Sequence, residues 1–159
     1  MKKFIMAIGF AILFAISFNT LGAVPASASS SVPAACKGYY KVICASKARG
    51  NVMLIKRGQV VRSTSARFGG RASDGSGPWF TREGRFSVFY KNANAWSSAY
   101  HVYMPYFMAF SGGQGLHYSS EYANGYRYSH GCIGVRSRKF ARYAFKWTPY
   151  GTSFVVTRY

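Results

Sequence analysis

"YSHGCIGVRS", residues 128–137, sets His130 two positions before Cys132, with Gly131 between them and Arg136 close behind. A cysteine in this setting can be a nucleophile, a metal ligand, half of a disulfide or a small buried hydrophobe. The rest of the chain narrows the choice.

The first residues look like an export signal. Lys2 and Lys3 precede an uncharged, mostly apolar run from Phe4 to Phe18, and Ala26-Ser27-Ala28 gives a small-x-small cleavage pattern. The run is about 15 residues, whereas a spanning helix needs about 20. We expect a signal peptide over residues 1–28, a polar linker over 29–39 and a single domain over 40–159. No stable membrane anchor is expected once the signal is removed. The expected destination is secretion to the cell wall or periplasm.

The chain has 159 residues, with 21 Lys and Arg against three Asp and Glu. Without Lys2 and Lys3 the basic residues fall to 19, leaving a net charge of +16. Such a surface favours anionic partners, and for an exported protein the candidates are anionic cell-wall polymers bearing phosphate, membrane lipid headgroups or nucleic acid. Charge and aromatic content alone would also suit nucleic acid, but nothing further points that way and none is expected.

Asp74, Glu83 and Glu121 are the only carboxylates, and they stand in unrelated contexts. Paired-carboxylate glycoside hydrolysis is therefore a poor fit. His130-Gly131-Cys132 is too tight for an ordinary zinc spacing, and no carboxylate stands ready to orient a ligand histidine. No metal or other cofactor is expected.

Cys36 and Cys44 are a disulfide candidate, provided the chain reverses near Gly38; an extended chain would hold them too far apart. Bridged or not, they leave Cys132 over, and an unpaired thiol in an exported protein points to chemistry. The thiolate is the reactive form. His130 and His117 are candidates for its base, and Arg136, Arg138 and His130 for a positive field.

Residues 40–46, 51–56 and 59–65 are short β-rich runs broken by turn residues, as in a meander. Residues 68–78 are glycine-rich and resemble a surface loop. Over 84–91, Phe86, Val88 and Tyr90 share one face with Ser87 and Lys91 opposite, predicting one strand. Residues 100–110 form an apolar run suited to one or two buried strands. Ser137 can cap a helix whose Phe140, Tyr143, Ala144 and Trp147 fall on one face, with Pro149-Tyr150-Gly151 ending it. Residues 153–157 suit a terminal strand. The expected fold is mainly β.

"YSHGCIGV" resembles the Ser/Thr-His-Gly-Cys signature of the L,D-transpeptidase (YkuD-like) catalytic domain family. "YKVICASKARGNVMLIKRGQVVRSTSARFGG", residues 40–70, is similar to that family's opening meander. "TREGRF", residues 81–86, matches its Thr-Pro-x-Gly-x-Phe segment with Arg82 for proline. "MPYFMAFSGGQGLHYS", residues 104–119, resembles the stretch leading to its first active-site histidine. The resemblance spans residues 40–159 and implies a β-sandwich with a C-terminal helix and a short terminal strand.

It also implies roles. Cys132 would be the nucleophile and His117 the base, oriented by the carbonyl of Tyr118. His130 would support the site beside the cysteine, and the amides of Gly131 and Cys132 would form an oxyanion hole. Ser129 and Arg136 would handle substrate. The family commonly has arginine or asparagine where this chain has Gly134, and Arg136 is expected to compensate. The gap between His117 and Ser129 is shorter than the family's usual spacing.

The implied activity is cysteine acyl transfer on peptidoglycan stem peptides, forming 3→3 cross-links in cell wall biogenesis and cell shape maintenance. Water in place of the acceptor amine would make the same site an L,D-carboxypeptidase. Another reading is a non-catalytic cationic wall-binding or antibacterial protein on the same scaffold. The sequence leaves open the acceptor and whether stem residue 3 is diaminopimelate or lysine.

Overall fold

The computed structural model describes residues 31–71 and 75–158. The expected signal peptide lies outside the described residues. Among the described residues, no helix is long and apolar enough to cross a membrane.

The fold is mainly β. Strands β1 (Lys41–Ser46), β2 (Asn51–Lys56) and β3 (Gln59–Gly69) form the antiparallel meander, and β10 (Ser153–Thr157) lies parallel to β1. β4 (Gly84–Ser87) pairs with the outer side of β10. A second group contains β5 (Tyr90–Ser97), β6 (Val102–Ser111), β7 (Gln114–Tyr118) and β9 (Ile133–Val135). The long β3 joins the two groups: residues 59–65 pair with β2, and Ala66 and Arg67 pair with β9. The last two residues of β3, Phe68 and Gly69, pair with the two-residue β8 (Tyr128–Ser129).

Helix α2 (Arg138–Trp147) starts at Ser137, whose side chain accepts the N–H of Phe140 at 3.1 Å. Its buried residues are Phe140, Ala141 and Ala144. They join Ile43, Leu54, Met108, Leu116, Ile133 and Phe154 in the main core. Tyr143 and Trp147, on the expected stripe, are half-buried and pack against that core. Lys41 and Lys91 donate to the last carbonyls of the helix, where the backbone lacks its own donors.

Two expectations change. The alternation over 84–91 spans two strands. β4 ends at Ser87 and β5 begins at Tyr90, because the chain passes there from the β10 edge to the partner strand β6. Val88 is fully buried at the crossing, whereas Tyr90 is 48% exposed. The stretch expected as a linker also packs down. Cys36 is bonded to Cys44, with Cα atoms 5.9 Å apart, and Gly38 supplies the reversal at φ 84°. Val32, Ala35 and Tyr39 pack around this pair in a smaller cluster beneath β1 and β2.

Candidate active site

Residues 130–132 form the turn between β8 and β9. Ser129 Oγ accepts the Gly131 N–H at 3.2 Å and donates to the Cys132 carbonyl, folding the turn on itself. Gly131 has φ 110°, a region that disfavours side chains. Its carbonyl accepts a 2.8 Å hydrogen bond from Thr81 Oγ1, which in turn accepts the Gly69 N–H at 2.8 Å. Thr81, the first residue of "TREGRF", is 1% exposed and ties three separate segments together.

β7 runs parallel to β9, with Leu116 beside Ile133 and His117 beside Gly134. This register brings His117 to the cavity that Cys132 also lines. His117 Nδ1 is 2.7 Å from the Tyr118 carbonyl oxygen. A carbonyl only accepts, so Nδ1 carries the proton and Nε2 keeps its lone pair. Burial lowers the His117 pKa to about 4, and the positive charge of Arg67 acts in the same direction. The imidazole is therefore neutral at neutral pH.

Cys132 is half-buried and packs beside Met104, Ala95, Phe107 and Ala109. Burial raises its thiol pKa; a backbone hydrogen bond from Gly115 and the charge of Arg67 work against that rise. At neutral pH the two groups are thus a neutral thiol and a neutral imidazole, an arrangement in which the thiol could react only with transfer of its proton. The positive field expected from Arg136 and Arg138 lies elsewhere. Their guanidinium groups sit over the rings of Tyr122 and Tyr118, at 4.7 and 5.8 Å.

The cavity measures about 560 Å³. His117, Cys132, Ser129 and Arg67 are among its lining residues, as are Trp79, Tyr100 and His130. His130 stacks on Tyr100 with ring centroids 4.1 Å apart and tilts against Trp79 at 6.1 Å. Ser129, expected to handle substrate, is 5% exposed, and its hydroxyl is engaged within the turn. Arg136 is exposed and outside the lining. Of the two amides expected at the oxyanion hole, that of Gly131 is engaged by Ser129. Among the described residues, no group of three or more His, Cys, Asp or Glu is placed to hold a metal.

Sequence reasoning missed Arg67 and Gln114. Gln114 accepts the Arg82 N–H at 2.9 Å and donates to the Phe80 carbonyl at 2.8 Å, binding the turn before β7 to the "TREGRF" segment. One arginine among 21 basic residues carried no distinguishing signal.

The family model of the L,D-transpeptidase catalytic domain matches residues 40–156. The chain belongs to this family. Among solved structures, it resembles an L,D-transpeptidase from Stackebrandtia nassauensis at TM-score 0.65 and 24% identity, over 76% of this chain and 56% of that one. An L,D-transpeptidase from Xylanimonas cellulosilytica matches at TM-score 0.63 and 27% identity, over 74% and 60% of the two chains. L,D-transpeptidase 3 from Mycobacterium tuberculosis, solved with a faropenem-derived adduct, matches at TM-score 0.63 and 17% identity, over 75% and 60%. The chain therefore spans only about three-fifths of these L,D-transpeptidase structures. No curated protein matches it.

Proposed function

We propose that this chain is an exported L,D-transpeptidase that joins peptidoglycan stem peptides through a thioester on Cys132. The observation that carries the reading is the His117–Tyr118 hydrogen bond. It leaves Nε2 as an acceptor in the cavity that holds the Cys132 thiol.

In this reading the Cys132 sulfur attacks the carbonyl of stem residue 3 while His117 Nε2 takes the thiol proton. The tetrahedral intermediate collapses with expulsion of residue 4, whose amine receives that proton. A side-chain amine of a neighbouring stem then attacks the thioester and His117 takes its proton. The new amide is the 3→3 cross-link, and the proton returns to the sulfur leaving group. A carbonyl in place of a triad carboxylate suits a chain with three acids. The Cys132 amide is the natural donor to the oxyanion.

The Cys36–Cys44 bond supports an oxidising destination, in line with the expected signal over residues 1–28. The basic surface would hold the enzyme on anionic wall polymers. Chromatography and mass spectrometry of muropeptides after incubation with tetrapeptide-bearing sacculi test the reading. The expected product is a 3→3 dimer that Cys132→Ala does not make. Tripeptide without dimers would indicate an L,D-carboxypeptidase. Products identical to those of Cys132→Ala would indicate the non-catalytic wall binder.

A further inference from the structure

Arg67 is 5% exposed, lies on β3 and belongs to none of the catalytic steps above. A guanidinium is never deprotonated in a protein and is costly to bury, so such a residue demands partners. Its Nη2 pairs with the Glu121 carboxylate. Its Nη1 donates to the Tyr128 carbonyl at 2.9 Å and to that of Tyr126 at 3.5 Å. These partners all lie in the segment that leads from α1 (Ser120–Ala123) into the cysteine turn. Arg67 Nε is buried with no hydrogen-bond partner.

The room for this side chain comes from Gly134. A Cβ there would lie 3.1 Å from Arg67 Nε, 3.2 Å from Arg67 Cγ and 2.8 Å from Ser119 Cβ. Gly134 also stands beside His117 in the β7–β9 register. Arg67 thus passes over β9 at the one position without a side chain and enters the lining of the cavity shared by His117 and Cys132.

We propose that Arg67 is a positioning residue that ties residues 121–128 to β3 and places a fixed positive charge behind the Cys132–His117 pair, with Gly134 as its complementary space. The proposal rests on the transpeptidase reading for its kinetic consequences but not for its effect on the thiol. The other ionisable groups around the cavity are Glu121 from α1, His130 from the cysteine turn, Tyr100 and His101 from the β5–β6 connection, and Arg82. Arg67 is the only arginine or lysine among them that is buried.

The test is the pH dependence of Cys132 alkylation by iodoacetamide, measured in the disulfide-bonded protein alongside kcat and KM. Arg67→Gln keeps much of the length and loses the charge. The alkylation midpoint should rise by roughly one pH unit, and kcat should fall about 10²-fold with KM roughly unchanged. Arg67→Lys keeps the charge but not the fork, so it should hold the midpoint near that of the parent while still losing kcat. A folded Arg67→Gln protein with the parent midpoint overturns the proposal. Should Arg67→Gln not fold, Glu121→Gln decides: it removes the neutralising carboxylate, so the midpoint should fall, and an unchanged or raised midpoint overturns the proposal. Absence of cross-linking by the parent protein would sink the transpeptidase reading and leave the alkylation result standing.

Discussion

Thr81 Oγ1 donates to the Gly131 carbonyl at 2.8 Å, although the two residues are 50 positions apart in the chain. The same oxygen accepts the Gly69 N–H. One hydroxyl therefore fixes the glycine before Cys132 to the end of β3. Thr81→Val keeps the shape and leaves both backbone groups without this partner. We expect a loss of about 2–3 kcal/mol in urea unfolding together with reduced turnover. Thr81→Ser should keep both near the parent values.

His117 gives the stability a characteristic pH dependence. Its folded pKa of about 4 lies below the ordinary 6.5, so between these values the unfolded chain binds more protons. Stability should therefore be complete above pH 6.5 and fall as the pH drops toward 4, by up to roughly 3 kcal/mol. The pKa of Glu83 is also lowered, by its hydrogen bond to Lys47, but this contribution is lost only below about 4.5. Urea unfolding at pH 4.5 and 7 should show the loss in the parent and much less of it in His117→Gln. Equal losses in both would contradict the assignment.

The two histidines near the thiol should separate in kinetics. His117→Ala removes the base and should reduce turnover by about 10²–10⁴-fold. His130 contributes a ring stacked on Tyr100, so His130→Phe should retain more activity than His130→Ala. Greater damage from His130→Phe than from His117→Ala would exchange their roles.

The Cys36–Cys44 bond holds residues 31–39 against β1. Replacing both cysteines with alanine should cost about 2–4 kcal/mol and loosen the segment enough for trypsin to cut after Lys37, which is already on the surface. Unchanged stability and an uncut Lys37 would mean that Val32 and Tyr39 suffice to dock the segment.

The meander, the Ser137-capped helix and the terminal strand were legible because each is a local pattern: turn residues between β-rich runs, apolar spacing and a cap. Residues 84–91 were misread because a change of sheet leaves the alternation of Phe86 and Val88 intact. The arrangement of the candidate site was legible where a motif fixes residues near one another, as at Ser129 to Cys132. Arg67 was not, because its meaning depends on the absence of a side chain at Gly134, which becomes its neighbour only when β3 pairs with β9. Arg136 misled for the converse reason: sequence proximity to Cys132 carried it past the end of β9 to the exposed face over Tyr122.

The central claim is that Cys132 forms an acyl-enzyme with His117 as its base. Intact-protein mass spectrometry after incubation with imipenem, followed by peptide mapping, tests it most directly. The account predicts one covalent adduct on Cys132 in the parent protein, strongly slowed formation in His117→Ala and none in Cys132→Ala. An unmodified parent protein, or an adduct that persists in Cys132→Ala, would contradict it.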